Sequence, residues 1–405
     1  MRTFEEARKD IARELGILAH PDALKREIVS LANSLGRTLA QEIRADRAYP
    51  PFDRAIRDGF AVRAADVAPG AKLKCIGELK AGDTPEISVA PGTCVQIMTG
   101  AAVPKGADAV VMIEHTRTEG DAIFFDRAID LGQHIVPRGK EAASGQLLLK
   151  PGARIGFAEI AAAAQVGTIE VGVYRKPRVA ILSTGDEVVP AETAPGDFQI
   201  RNSNAYSLAA QVSLAGGEPV VLSNAKDSEA DLREKILQGL QCEVLILSGG
   251  VSAGKYDLVE KVLGDLGAVF RFDAVAIRPG KPTVFAVCQN KPVFGLPGNP
   301  VSTMVTFELF ASLAVQMLAG QEPRPLAFLE ARLGESLQEK TGLAHFLPAK
   351  LTWPGGTPTV VPLRWQGSGD LAAVSQSNCF LYIPADRSRF ECGEPVSVVP
   401  RRDVL

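Results

Sequence analysis

Three times between Val179 and Met304 the chain runs an apolar stretch straight into a loop of small and polar residues. The copies are RVAILSTGDE (178–187), EVLILSGGVSAGKYD (243–257) and KPVFGLPGNPVST (291–303). Runs such as VAILS and VLILS lack polar alternation, which suits strands buried on both faces and so a parallel sheet with helices on each side. In such sheets ligands bind beyond the carboxyl ends of the strands, where these loops fall. The pattern predicts a binding site, and its glycines and polar residues suit phosphates.

The surrounding order supports this fold class. After Pro177, strand candidates VAILS, EPVVLS and EVLILS alternate with helix candidates NSNAYSLAAQVSLAG, SEADLREKILQGL and YDLVEKVLGDLG. PTVFAV and PVFGL then precede a helix from Pro300. This alternation predicts a doubly wound α/β domain over 177–324. Residues up to about Arg44 show apolar spacing of helical period. With GFAEIAAAAQVG (156–167) they form a helical, linking domain over 1–47 plus 146–176. Short β-like pieces between Gly, Pro and Asp turns predict a β-rich inserted domain over 48–145. Five short strands after Pro325 predict a small β-barrel-like domain over 325–405. The expected fold is therefore multidomain α/β.

Several function classes are excluded at this level. A net charge of −3 without a Lys/Arg stripe argues against nucleic-acid binding. Six widely spaced cysteines and four scattered histidines give neither a disulfide framework nor a zinc spacing. They predict reduced thiols, with Cys242 and Cys288 as core filler. The N-terminus MRTFEEARKDIARELG is charged and amphipathic, unlike a secretion signal. The apolar run 300–320 carries Glu308 in its middle and is expected as a buried core helix, not a membrane span. A cytoplasmic protein without membrane association is expected.

In GLPGNPVST, Asn299 suits an N-cap and Pro300 the first helical position, leaving free N–H groups aimed at an anion. Alone, this loop is as compatible with an ordinary strand–turn–helix corner. Gly249 to Lys255 spells G-x-x-x-x-G-K, but Tyr256 stands where a P-loop has Ser or Thr, so a phosphotransferase is a weak rival. The adjacent carboxylates Asp186 and Glu187 could position a hard cation. Arg278 and Lys281, flanking a Pro-Gly turn, suit an oxyanion clamp. Taken alone, the Asp186-Glu187 pair and the Arg278/Lys281 turn each read better as a solvated surface turn.

Together and in order, LGRTLAQEI, PPFDRAIRDGFAVR, QIMTGAAVPKGADAVV, STGDEV, SGGVSAGKYD, IRPGKP and FGLPGNPVS resemble the molybdopterin molybdenumtransferase family, which includes bacterial MoeA and the gephyrin E domain. The resemblance spans nearly the whole chain. It implies insertion of molybdenum from molybdate into adenylated molybdopterin, with release of AMP, in a Mg²⁺-dependent enzyme. It implies catalytic roles for Asp58, Thr99, Glu141, Glu187, Asp227 and Asp257, with Glu187, Asp227 and Asp257 around the metal. For the pterin substrate it implies Ser183, Thr184, Gly185, Asp186, Ser248, Gly249, Gly250, Ser252, Arg278, Lys281, Pro297, Gly298, Asn299 and Pro300. A homodimer with composite sites, a pterin-adenylating partner protein and apo-molybdoenzyme acceptors follow in the same way.

Three departures stand out. Bacterial members read Asn-Ser-Ala-Met where this chain has Arg54-Ala55-Ile56-Arg57, Glu141 occupies the place of an Asp, and TGLAHFLPAKL lacks an arginine common there. These motivate an alternative: a molybdopterin-binding scaffold or chaperone with impaired transfer.

Overall fold

The computed structural model describes residues 1–20, 22–250 and 258–404. By contacts it divides into two units: 1–40 with 151–156 and 171–405, and 41–150 with 157–170.

The first unit is built on a six-stranded sheet. Its spatial order is Glu218–Val221, Arg178–Ser183, Val244–Ser248, Lys291–Leu296, Val284–Cys288 and Val269–Phe272. The first four are mutually parallel. Val284–Cys288 runs antiparallel to both its neighbours, Lys291–Leu296 and Val269–Phe272, an edge the strand patterns did not reveal. The hairpin between Val284–Cys288 and Lys291–Leu296 turns on Gln289 and Asn290, both at positive φ (49° and 60°). Two-residue connections of this kind join antiparallel neighbours.

The central strands are buried on both faces, as the unbroken apolar runs require. Val179, Ile181, Val244 and Ile246 pack into one core, Ala180, Leu182, Leu245 and Leu247 into the other. Helix Phe4–Leu18 adds Phe4, Ala7, Ile11 and Leu15 to the first core. A capping box between Thr3 and Glu6 starts that helix. The Pro300–Leu318 run is a core helix, 83% buried, with a π-turn at Phe307–Ala311. Arg8 of the N-terminal helix donates to the carbonyl of Leu309 within that turn. Beyond it, strands Leu329–Leu333, Ala344–Thr352, Thr359–Pro362, Cys379–Ile383 and Pro395–Pro400 close into a barrel around its own core.

One expectation fails. Residues 24–43 are not helical: they form the strand Arg26–Ser30, a 3-10 turn Leu31–Asn33 and extended chain to Ile43–Arg44. The β-branched pair Ile28-Val29 and a positive φ at Gly36 favour extended chain, and tertiary pairing overrides the apolar spacing.

In the second unit a six-stranded sheet runs Ala109–Met112, Gly59–Val62, Thr93–Ile97, Lys72–Leu79, Ala122–Phe125 and Thr116–Glu119. Phe60 and Val62 enter one cluster and Ala61 the opposite one. The expected helix appears as Phe157–Gln165.

The described cysteines are all free, with Cys94, Cys242, Cys288 and Cys379 buried. Burial pushes the Cys94 and Cys379 thiols up to about 12.

Candidate functional site

A cavity of about 430 Å³ opens at the carboxyl ends of the parallel strands. Ser183 and Ser248 end adjacent strands in register, and Ser248 pairs with Leu296 of the next. The three loops seen in the sequence therefore start side by side. Ser183, Glu187, Ser248, Gly249, Gly250, Pro297, Gly298, Asn299 and Pro300 line the cavity.

Backbone, more than side chain, forms its floor. Gly298 and Gly249 approach so closely that a Cβ on Gly298 would lie 3.4 Å from the Gly249 Cα. Gly185 has φ 123°, and a Cβ there would sit 2.5 Å from the Glu187 carboxylate. Only glycine leaves that carboxylate its place.

Two helices begin at this cavity, Ser203–Leu214 and the one starting at Pro300. Helix N-termini carry partial positive charge and suit anions. Asn299 holds the N-cap position but makes no capping bond; its Nδ2 donates to Ser368 Oγ at 2.9 Å. Asn202 caps the other helix through Ala205 N at 3.0 Å and accepts from Ser183 Oγ at 3.2 Å.

Sequence reasoning passed over this second helix start. Asn204 Nδ2 donates to Ser248 Oγ at 2.8 Å and to the Gly298 carbonyl at 2.7 Å, tying two of the loops together. Among the described residues, Arg201 is the one cation lining the cavity. The signal was the polar run Arg-Asn-Ser-Asn at a helix start, read only as a helix boundary.

The remaining expected residues fall into groups. Asp186 lies away from this lining; its Oδ1 accepts from the Asp227 backbone N at 3.2 Å, joining two carboxylate loops. It lines a neighbouring, more apolar cavity of about 520 Å³ with Tyr206, Ala209 and Leu222. Thr184 is buried with its hydroxyl unpartnered, beside Gly249 and Gly250. Arg278 sits on a short strand that pairs with the barrel strand Ala344–Thr352. Neither Arg278 nor Lys281 lines the cavity, whereas the next residue, Pro282, does. Ser252 and Asp257 lie outside the described residues.

In the other unit, Asp58 and Thr99 meet across 41 residues: Asp58 Oδ1 accepts from the Thr99 backbone N at 2.6 Å. That bond, with one from the Thr99 side chain, holds the Asp58 carboxyl below the usual carboxylate range. Gly59 lets the chain turn in tightly here, since a Cβ would sit 1.9 Å from the Val111 carbonyl oxygen. Glu141 is paired with Arg54, with Oε1 to Nη2 at 2.7 Å.

Among the described residues no cluster of three His, Cys, Asp or Glu forms a ready-made metal site. Glu187 lies on the cavity wall, and the Asp227 backbone is tied to Asp186, the residue before Glu187.

Known proteins resemble this chain along most of its length. Three family descriptions match in succession: MoeA N-terminal region (domain I and II) at 2–167, probable molybdopterin binding domain at 180–317, and MoeA C-terminal region (domain IV) at 330–400. The molybdopterin molybdenumtransferase of Bacillus subtilis (strain 168) is 35% identical over 391 residues, covering 93% of this chain and 90% of its own length. That of Staphylococcus aureus (strain Mu50) is 32% identical, covering 92% and 90%. The solved molybdopterin biosynthesis moeA protein of Pyrococcus horikoshii OT3 superposes with a TM-score of 0.82 at 28% identity, covering 99% of this chain and all of that one. With its glycine-lined cavity, its terminal barrel and these matches along its length, the chain belongs to the molybdopterin molybdenumtransferase family.

Proposed function

We propose that this chain inserts molybdenum from molybdate into adenylated molybdopterin and releases AMP. The observation that carries the reading is the anion-suited cavity at the strand ends, with Glu187 and Arg201 on its wall, in a chain of this family. The substrate brings a phosphate, an adenylate and a dithiolene to one site, and molybdate adds a tetrahedral dianion. Glycine loops accept phosphate oxygens through backbone N–H groups, and the two helix N-termini favour their charge. Arg201 adds a formal cation at the wall.

Glu187 and Asp227 would hold Mg²⁺ with substrate oxygens, and the cation would neutralise charge as the phosphoanhydride opens. Glu187 is also placed to orient water for that opening. Asp58, its carboxyl held below the usual range by Thr99, is a fixed anion throughout the neutral range. Glu141 supplies a second carboxylate in the same unit. A cytoplasmic homodimer, with Asp58 and Thr99 completing a partner's cavity, is part of this reading, as are a pterin-adenylating donor and apo-molybdoenzyme acceptors.

The test combines purified protein with adenylated molybdopterin, molybdate and Mg²⁺. Molybdate-dependent AMP release, with product that activates an apo-molybdoenzyme, is the expected result. Tight pterin binding without turnover would overturn it in favour of a binding scaffold.

A further inference from the structure

The Arg54 and Glu141 side chains form an ion pair at 2.7 Å across 87 positions. Resting on the functional reading above, we propose that Arg54 is a positioning residue that holds the Glu141 carboxylate for the reaction.

The backbone around both residues is already fixed. Glu141 N donates to the Tyr49 carbonyl at 2.9 Å, Gly139 N to the Pro50 carbonyl at 2.9 Å, and Arg138 N to Asp53 Oδ1 at 2.8 Å. Arg54 is in register with Val136 and bridges Ala102. The next residue, Ala55, donates from its N to the Ala101 carbonyl at 3.0 Å and accepts from Gly100 N at 2.9 Å. Thr99, which holds Asp58, immediately precedes that glycine. One sewn loop therefore carries both Asp58 and Arg54.

What stays free is the Glu141 side chain, one C–C bond (about 1.5 Å) longer than Asp and with one more torsion. The guanidinium removes that freedom. Glu supplies the reach and Arg the anchor. With 34% and 44% of the two side chains exposed, the pair adds little to stability. Its contribution is orientation, and carboxylate displacements of about 1 Å can cost up to about a hundredfold in rate.

The experiment is a double-mutant cycle on the full-length protein, with Arg54→Ala, Glu141→Ala and both together, plus Arg54→Lys. Molybdate-dependent AMP release gives kcat and KM, and thermal melting reports folding. Arg54→Ala should lower kcat about tenfold or more, leave KM within about twofold, and barely move Tm. Arg54→Lys should recover part of the loss, since it keeps the cation without the fork. The double variant should be no slower than Glu141→Ala, because Arg54 acts only through that carboxylate. Losses that multiply, or an Arg54→Ala enzyme as fast as wild type, would overturn the positioning role alone. Wild-type protein that releases no AMP would overturn the functional reading, and this role with it.

Discussion

The α/β cavity and the Asp58 cluster solve opposite problems. The cavity is shaped largely by backbone: glycines at 249, 250 and 298, two helix starts, and an asparagine, Asn204, that ties loops together. The cluster is shaped by charge: Asp58 pinned by Thr99, and Glu141 pinned by Arg54. Backbone cradles suit ligand groups that arrive already charged, such as phosphates. Pinned carboxylates suit proton or cation handling, where orientation and ionisation state decide the rate. The comparison teaches a proposed division of labour in which the first region binds substrate and metal and the second adds the pinned carboxylates that turnover depends on.

The division can be broken at several points. Asp58→Ala should have the largest effect on turnover, about a hundredfold or more, with little change in substrate affinity. Steady-state AMP release measures both, and a loss confined to KM would contradict the assignment.

Arg201→Ala should do the reverse, weakening substrate binding about tenfold while saturating turnover holds, the usual cost of a lost charge-assisted hydrogen bond. Titration with adenylated molybdopterin checks this.

Gly59→Ala tests the scaffold beneath Asp58. The added methyl would press on the Val111 carbonyl from 1.9 Å, so the strand pair must shift, at about 1–3 kcal/mol in denaturant unfolding.

The smallest effect concerns pH. The folded Asp58 carboxyl ionises more readily than a free one because Thr99 donates to its charged form. Its contribution to stability is therefore present above the unfolded value of about 3.9 and lost as pH falls through the lower folded value. The stability gap between wild type and Asp58→Asn should be flat from pH 5 to 8 and close only below about pH 4.

Much of the binding region was legible in the sequence because its determinants are local. VAILS and VLILS report burial on two faces, and Asn299-Pro300 reports a helix start in nine letters. The family resemblance named Asp58 and Thr99 but not their contact, since nothing local joins residues 41 apart. The Arg54–Glu141 pair was not legible at all: each departure was visible, but their meeting depends on the turn at 138–142 folding onto 49–54. One error has a tertiary cause: residues 24–43 have helical apolar spacing yet pair as extended chain. Arg278 and Lys281 lie off the cavity lining, and their clamp role is a proposal. Arg201 and Asn204 were overlooked because polar residues at a helix start also serve as ordinary caps.

The most direct test of the division compares wild type with Asp58→Asn and measures, in the same preparations, equilibrium binding of adenylated molybdopterin and molybdate-dependent AMP release. Affinity within about twofold of wild type, with turnover down about a hundredfold or more, is the predicted result. Affinity and turnover falling together would show that Asp58 belongs to the binding surface, and would contradict the account.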